Sequence, residues 1–307
     1  MDEEIIKFAE DLKKEYDGKI SSNEIGIITE NMFHGFFNDC GVENNLTGHN
    51  EHYDIVIENK KIEVKHNTIN EKESNIVMSL QKEEYDVLDY LLAFVKNNKE
   101  NKTQYLFLNK EKIKKKNEYI GKYKISIPFS DLLDIEKFVL SLKLTFKISI
   151  SKEEIKENLQ NEIQKYNLEN LETYSNKKIG DTGEFFATNV LKTKYNIVPK
   201  SKYKGYYDFK IENKLFDVKV YKYNPNHPNI PHIYRRPNAD KKTMNLVFFV
   251  YDNDEMYYMF STHIDSLTIK LSTDFKHLTS LSDLIQDFDY FYNHDADITT
   301  NPEYLNG

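Results

Sequence analysis

Asp54, Glu63 and Lys65 share one short stretch, "YDIVIENKKIEVK" (53–65), and Asp208, Asp217 and Lys219 take the same places in "YDFKIENKLFDVK" (207–219). Apolar and charged residues alternate in both, as in half-buried strands, and Asn59-Lys60 or Asn213-Lys214 offers a two-residue turn because asparagine tolerates positive φ. That turn sets Asp54 opposite Lys65 and Val56 opposite Glu63. Directly paired residues share a face, so Asp54, Glu63 and Lys65 converge there with Cβ atoms roughly 5–8 Å apart. Asp208, Asp217 and Lys219 converge likewise. The other face of each second strand carries Ile62 and Val64, or Phe216 and Val218, which suit a core. A single such hairpin reads more readily as a solvent-facing strand whose ion pairs contribute little.

A further carboxylate precedes each hairpin. Ile25, Met32, Phe33, Phe36 and Phe37 recur at helical spacing, and Glu30 falls at the border of their stripe. Glu184 stands in the same relation to Ala187 and Leu191. An inward-directed carboxylate is costly unless a cation or hydrogen-bond donors meet it. Gly26 and Gly180, one turn earlier, are expected to let helix and sheet approach closely. Acids, a lysine and backbone carbonyls together form a hard-oxygen pocket suited to Mg²⁺ or Mn²⁺. The chemistry of such a pocket is activation of water against a phosphate, with the lysine orienting that water and offsetting charge.

"Asp54–x8–Glu63–Val64–Lys65" and "Asp208–x8–Asp217–Val218–Lys219" resemble the metal-binding motif of the PD-(D/E)xK, or restriction-endonuclease-like, nuclease superfamily. Glu30 and Glu184 resemble the acidic residue of that superfamily's preceding helix. Tyr53 and Tyr207 replace the motif's proline, and Asp217 is shorter than Glu63. The resemblance covers about 40 residues per half. It implies Mg²⁺-dependent phosphodiester hydrolysis (with Mn²⁺ as a substitute), metal ligation by Glu30, Asp54, Glu63, Glu184, Asp208 and Asp217, and catalytic roles for Lys65 and Lys219.

The elements that position these residues are duplicated. An offset of 154 aligns Ile25, Gly26, Glu30, Tyr53, Asp54, Ile57, Glu58, Asn59, Lys60, Val64 and Lys65 with identical residues, and Glu63 with Asp217. Outside this core, "EEI" recurs at 3–5 and 153–155. "LLAFV" (91–95) parallels "LVFFV" (246–250), "YLFL" (105–108) parallels "YYMF" (257–260), and "SDLL" (130–133) parallels "SDLI" (282–285). Each half therefore reads helix, helix, hairpin, variable connection, two strands, helix. The expected class is α/β: two tandem restriction-endonuclease-like domains, 1–150 and 151–307, each a small mixed sheet flanked by helices.

Composition narrows the setting. Hydrophobic residues make up 39% and charged residues 30% of the 307, enough to build a soluble core. No apolar run nears the roughly 20 residues of a membrane span, and the acidic, amphipathic start reads as a helix, not a signal peptide. One cysteine, Cys40, agrees with a reducing cytoplasm and reads as a small buried residue. No zinc-like Cys/His set and no phosphate-cradling glycine loop occurs, so neither zinc nor a nucleotide cofactor is expected. A net charge of −8 argues against a protein that coats nucleic acid, yet basic stretches stand at 110–124, 200–204 and 234–242.

After the first hairpin, "HNTINEKESNIVMSLQKEEYDVL" reads as a short turn and then a helix. After the second, prolines in "VYKYNPNHPNIPHIYRRPNADKK" enforce an extended loop. That loop holds Arg235 and Arg236, the only arginines in the chain and suited to guanine or phosphate. The leading expectation is an endonuclease on double-stranded DNA, a monomeric pseudo-dimer with one site per half. A junction or RNA-processing nuclease belongs to the same class. The alternative class is a nucleic-acid-binding or scaffold protein with one active site or none.

Overall fold

The computed structural model describes residues 2–47, 51–69, 75–113, 115–119, 121–201, 204–223, 229–230, 244–261, 269–270 and 275–294. The chain divides into two compact units, Ile20–Thr173 and Met1–Lys19 with Tyr174–Gly307. Helix α1 (Glu3–Tyr16) precedes the first repeat in sequence but belongs to the unit of the second. Its Ile5, Phe8, Ala9 and Leu12 enter a core with Ile179, Phe186 and Phe249. Phe8 stacks on Phe186 at 4.1 Å between ring centroids.

The unit Ile20–Thr173 begins with α2 (Ser22–Asp39), fixed by a capping box in which Ser21 Oγ accepts from the Glu24 amide and Glu24 accepts from the Ser21 amide. Strands β1 (Asn44–Leu46), β2 (Ile55–Ile57) and β3 (Lys60–Ile69) follow, then β4 (Asn75–Gln81) and the short α3 (Lys82–Val87). Next come β5 (Tyr90–Asn97), β6 (Lys102–Asn109), β7 (Lys115–Tyr119), β8 (Lys122–Pro128), α4 (Ile135–Thr145) and α5 (Lys152–Lys165). A five-stranded sheet has the order β1-β2-β3-β5-β6, with β3 and β5 parallel and its other pairs antiparallel. One of its faces, with Ile55, Ile62, Val64 and Phe94, packs on α2, α4 and α5. Leu91, Ala93 and Val95 on the other face pack against a separate antiparallel sheet, β4-β8-β7.

The other unit carries α6 (Asn176–Leu191), β9 (Ile197–Ser201), β10 (Lys204–Ile211), β11 (Lys214–Lys222), β12 (Met244–Asp252), β13 (Glu255–Ser261), β14 (Lys276–His277) and α7 (Leu281–His294). Its main sheet runs β9-β10-β11-β12-β13-β14, again with one parallel pair, β11 with β12. Helices α1, α6 and α7 cover the face bearing Phe209, Phe216 and Phe249. The class is mixed α/β with helix-flanked sheets.

Three expectations change. A division at residue 150 assigns each leading helix to the wrong core: α5 contributes Ile155, Leu159 and Ile163 to the first unit, as α1 does to the second. The segment after the first hairpin forms a strand before its helix, because Ile76, Met78 and Leu80 alternate with exposed residues at period two. Finally, a Cβ at Gly26 or Gly180 would meet nothing within 4 Å, whereas one at Gly183 would lie 2.2 Å from Val220 Cγ2. Gly183 is the residue that brings α6 close to β11. Cys40 is buried, as its context implied, and among the described residues no helix is long and apolar enough to cross a membrane.

Candidate active site

The hairpins turn one residue earlier than the asparagines alone indicate. Ile57 pairs with Lys60 and Ile211 with Lys214, so the turns are Glu58-Asn59 and Glu212-Asn213. Glu58 and Asn59 adopt φ of 48° and 65°, the signature of a type I′ turn, and Glu212 adopts 51°. The register therefore sets Asp54 opposite Glu63 and Asp208 opposite Asp217, not opposite the lysines. The pairing sum changes by two, an even step that leaves every side chain on its expected face.

The same contact fixes each aspartate. Asp54 Oδ2 accepts from the Val64 amide at 2.7 Å, and Asp208 Oδ2 from the Val218 amide at 2.8 Å. In both hairpins the lysine turns onto the acid two residues before it: Lys65 Nζ donates to Glu63 Oε1, and Lys219 Nζ lies 2.5 Å from Asp217 Oδ2. Glu63 is 2% exposed, which removes the solvent-facing strand reading for the first hairpin. In the strand register Glu63 lies beside Leu91 and Lys65 beside Ala93, while Asp217 lies beside Leu246 and Lys219 beside Phe248.

Burial dominates the electrostatics. It raises Glu63 to about 8, aided by Asp54 and Glu84 and opposed by Lys65. Asp54 is raised by burial against the pull of Lys65. Burial and then the charge of Asp54 lift Glu30 to about 7, with Lys65 opposing. Burial alone would lower Lys65, but Glu63, Glu84 and Asp54 outweigh it and hold the ammonium up. At the second cluster burial lifts Glu184 to about 7 and Asp217 to about 6, with the neighbouring Asp208 raising both. Glu30 and Glu184 thus join the hairpin acids, as their place beside the apolar stripes implied.

Two members were not legible in the repeat. Glu84 caps α3 by accepting from the Gln81 amide at 2.6 Å, and its charge acts on Asp54, Glu63 and Lys65. Lys200 Nζ lies 3.9 Å from Asp208 Oδ1 and stabilises the Glu184 carboxylate. The offset aligns Lys200 with Leu46, so self-comparison carried no signal for it; its basic neighbours in 200–204 were the available hint. Arg235 and Arg236 lie outside the described residues.

Among the described residues no three His, Cys, Asp or Glu side chains are arranged so that they could hold a metal ion as they stand. The donor chemistry nevertheless fits a divalent cation. Each cluster gathers hard carboxylate oxygens whose proton affinities are raised by burial and mutual repulsion, and one lysine offsets part of the charge.

The chain matches no protein-family model and no curated protein. Among solved structures it is similar to Archaeoglobus fulgidus Hjc, a Holliday junction resolvase, with 13% identity and a TM-score of 0.26, covering 37% of this chain and 93% of that one.

Proposed function

We propose that the protein is a divalent-metal-dependent endonuclease acting on double-stranded DNA, with two domains of one fold and a site in each, so that one chain acts as a pseudo-dimer and cuts both strands. The observation that carries this reading is the repeated clamp: an aspartate held by the amide between the second acid and the lysine, with that lysine on the second acid. Duplication of that geometry in hairpins with different packing neighbours favours a shared chemical task over a surface accident.

Glu30, Asp54 and Glu63 would hold the cation at the first site, and Glu184, Asp208 and Asp217 at the second. Mg²⁺ or Mn²⁺ there would lower the pKa of water and polarise the phosphate. The backbone amides of Val64 and Val218 orient the aspartates. Lys65 and Lys219 hold the second acids until substrate and cation arrive, then direct the attacking water and offset charge developing on the phosphate. Hydrolysis forms one P–O bond to the water oxygen and breaks one to a deoxyribose oxygen, which leaves with a proton.

Supercoiled plasmid incubated with the protein should be nicked or linearised with Mg²⁺ or Mn²⁺ and left intact in EDTA. Full cleavage in EDTA would remove the metal from the mechanism. No cleavage of any DNA with either metal would leave a binding or scaffold protein.

A further inference from the structure

The sheet β4-β8-β7 has two unlike faces. Ile76, Met78, Leu80, Tyr123, Ile125 and Ile127 form the inner face and pack into the core. Asn75, Val77, Ser79, Lys122 and Lys124 are exposed on the outer face, with Ser126 half-buried among them. The register pairs Ser79 with Lys124 and Gln81 with Lys122. Neither β4 nor β8 contains an aspartate or glutamate, in a chain with 50 of them. The surrounding stretch 110–124 has seven lysines and two glutamates, a formal +5 in a protein of −8.

The placement of this face matters as much as its charge. The inner side of the sheet covers Leu91 and Ala93, the residues paired with Glu63 and Lys65 in the parallel register. Basic sheet and first site therefore lie on the same side of the five-stranded sheet. At the end of β4 where Gln81 pairs with Lys122, the chain runs directly into α3, whose Glu84 acts on the site. Among the described residues the second unit has no such three-stranded sheet.

We infer that the outer face of β4-β8-β7 binds the sugar-phosphate backbone of duplex DNA beside the first site. The location of this contact rests on the nuclease reading; the contact itself does not require cleavage. Lys122 and Lys124 supply the charge, and Asn75, Ser79 and Ser126 supply hydrogen-bond donors of the kind that meet phosphate oxygens. Two residues apart on a strand, the lysines are about 6.8 Å apart, or two of the roughly 3.4 Å steps at which charges recur along a DNA strand. The absence of carboxylates from β4 and β8 keeps like charge off the two strands that carry these residues. Lysines can also serve only to keep an exposed sheet face solvated, and the experiment separates that role from DNA contact.

The full-length chain is titrated, in EDTA, against a fluorescein-labelled DNA duplex of about 30 base pairs, reading anisotropy over a range of salt. Lys122→Glu with Lys124→Glu should weaken binding at least about tenfold, and Lys122→Gln with Lys124→Gln should lower the slope of log affinity against log salt by about 1.8. Lys7→Glu with Lys14→Glu, an equal charge change on exposed α1 positions, should leave affinity within about twofold. An unchanged slope and affinity in the glutamine pair overturns the inference and leaves the lysines as a solvated sheet face. Equal losses in the α1 control, or an effect confined to an RNA duplex, also overturn it. A protein that shows the expected losses but never cuts DNA keeps this inference and loses the nuclease reading; one that cuts DNA and shows no losses does the reverse.

Discussion

At the first cluster Glu63 is almost wholly buried and Glu84 adds negative charge, while at the second Asp217 is one carbon shorter and Lys200 adds positive charge. The hairpin register, the aspartate clamp and the lysine contact are otherwise the same. The difference teaches that the duplicated scaffold fixes geometry, whereas neighbouring elements set the charge each site must offset. Under the proposed function the first site would depend more heavily on an added cation, because at the second Lys200 already offsets part of the charge.

The largest effect belongs to the clamp. Asp54→Asn or Asp208→Asn keeps an acceptor for the amide but removes the charge, and each should slow cleavage of its own strand by on the order of 100-fold. Strand-specific end-labelling checks this. Equal slowing of both strands by either substitution would break the comparison by making the sites interdependent.

The pH response should separate the sites next. Both carboxyls bind protons more tightly when folded, Glu63 at about 8 against an ordinary 4.5 and Asp217 at about 6 against 3.8. On lowering pH from about 8.5 at limiting Mg²⁺, cutting at the first site should fade before cutting at the second. Without metal the sign for stability follows from linkage. The stabilising protons are fully present below the unfolded values and are lost as pH rises through about 6 and then about 8. Chemical denaturation in EDTA should therefore show stability falling across that window, and Glu63→Gln should flatten its upper part.

Packing offers a third contrast. Gly183→Ala forces a Cβ against Val220 and should cost about 1–3 kcal/mol, while Gly26→Ala and Gly180→Ala meet open space and should stabilise their helices by up to about 1 kcal/mol. Urea titrations measure both. The smallest effect is that of Lys200→Ala. Its ion pair is half-exposed, so stability should change by less than about 1 kcal/mol, with a raised Mg²⁺ requirement for cutting at the second site only.

Much of the site was legible because side-chain parity survives an even shift in register. Glu63 and Lys65 reached the expected face although the turn fell at Glu58-Asn59. Glu30 and Glu184 were legible from their position against an apolar stripe. The exchange of α1 and α5 was not, because the matching "EEI" segments record common descent of sequence, not which core a helix enters. Strand β4 is masked in the sequence by the polar helical run "QKEEYD" that follows it, although Ile76, Met78 and Leu80 show period two. Glu84 reaches the first site through tertiary placement and has no local spacing signal.

The central claim, one working site per repeat, is tested most directly by plasmid topology with Lys65→Ala and Lys219→Ala. Each substitution removes the ammonium beside one hairpin acid and leaves the other hairpin's contacts intact. The account predicts linear product from the wild type, open circles from each single variant with nicks on opposite strands, and binding without cutting from the double variant. Linearisation at the wild-type rate by Lys219→Ala would contradict it: the second hairpin would then be a scaffold, and a double-strand break would require a second chain.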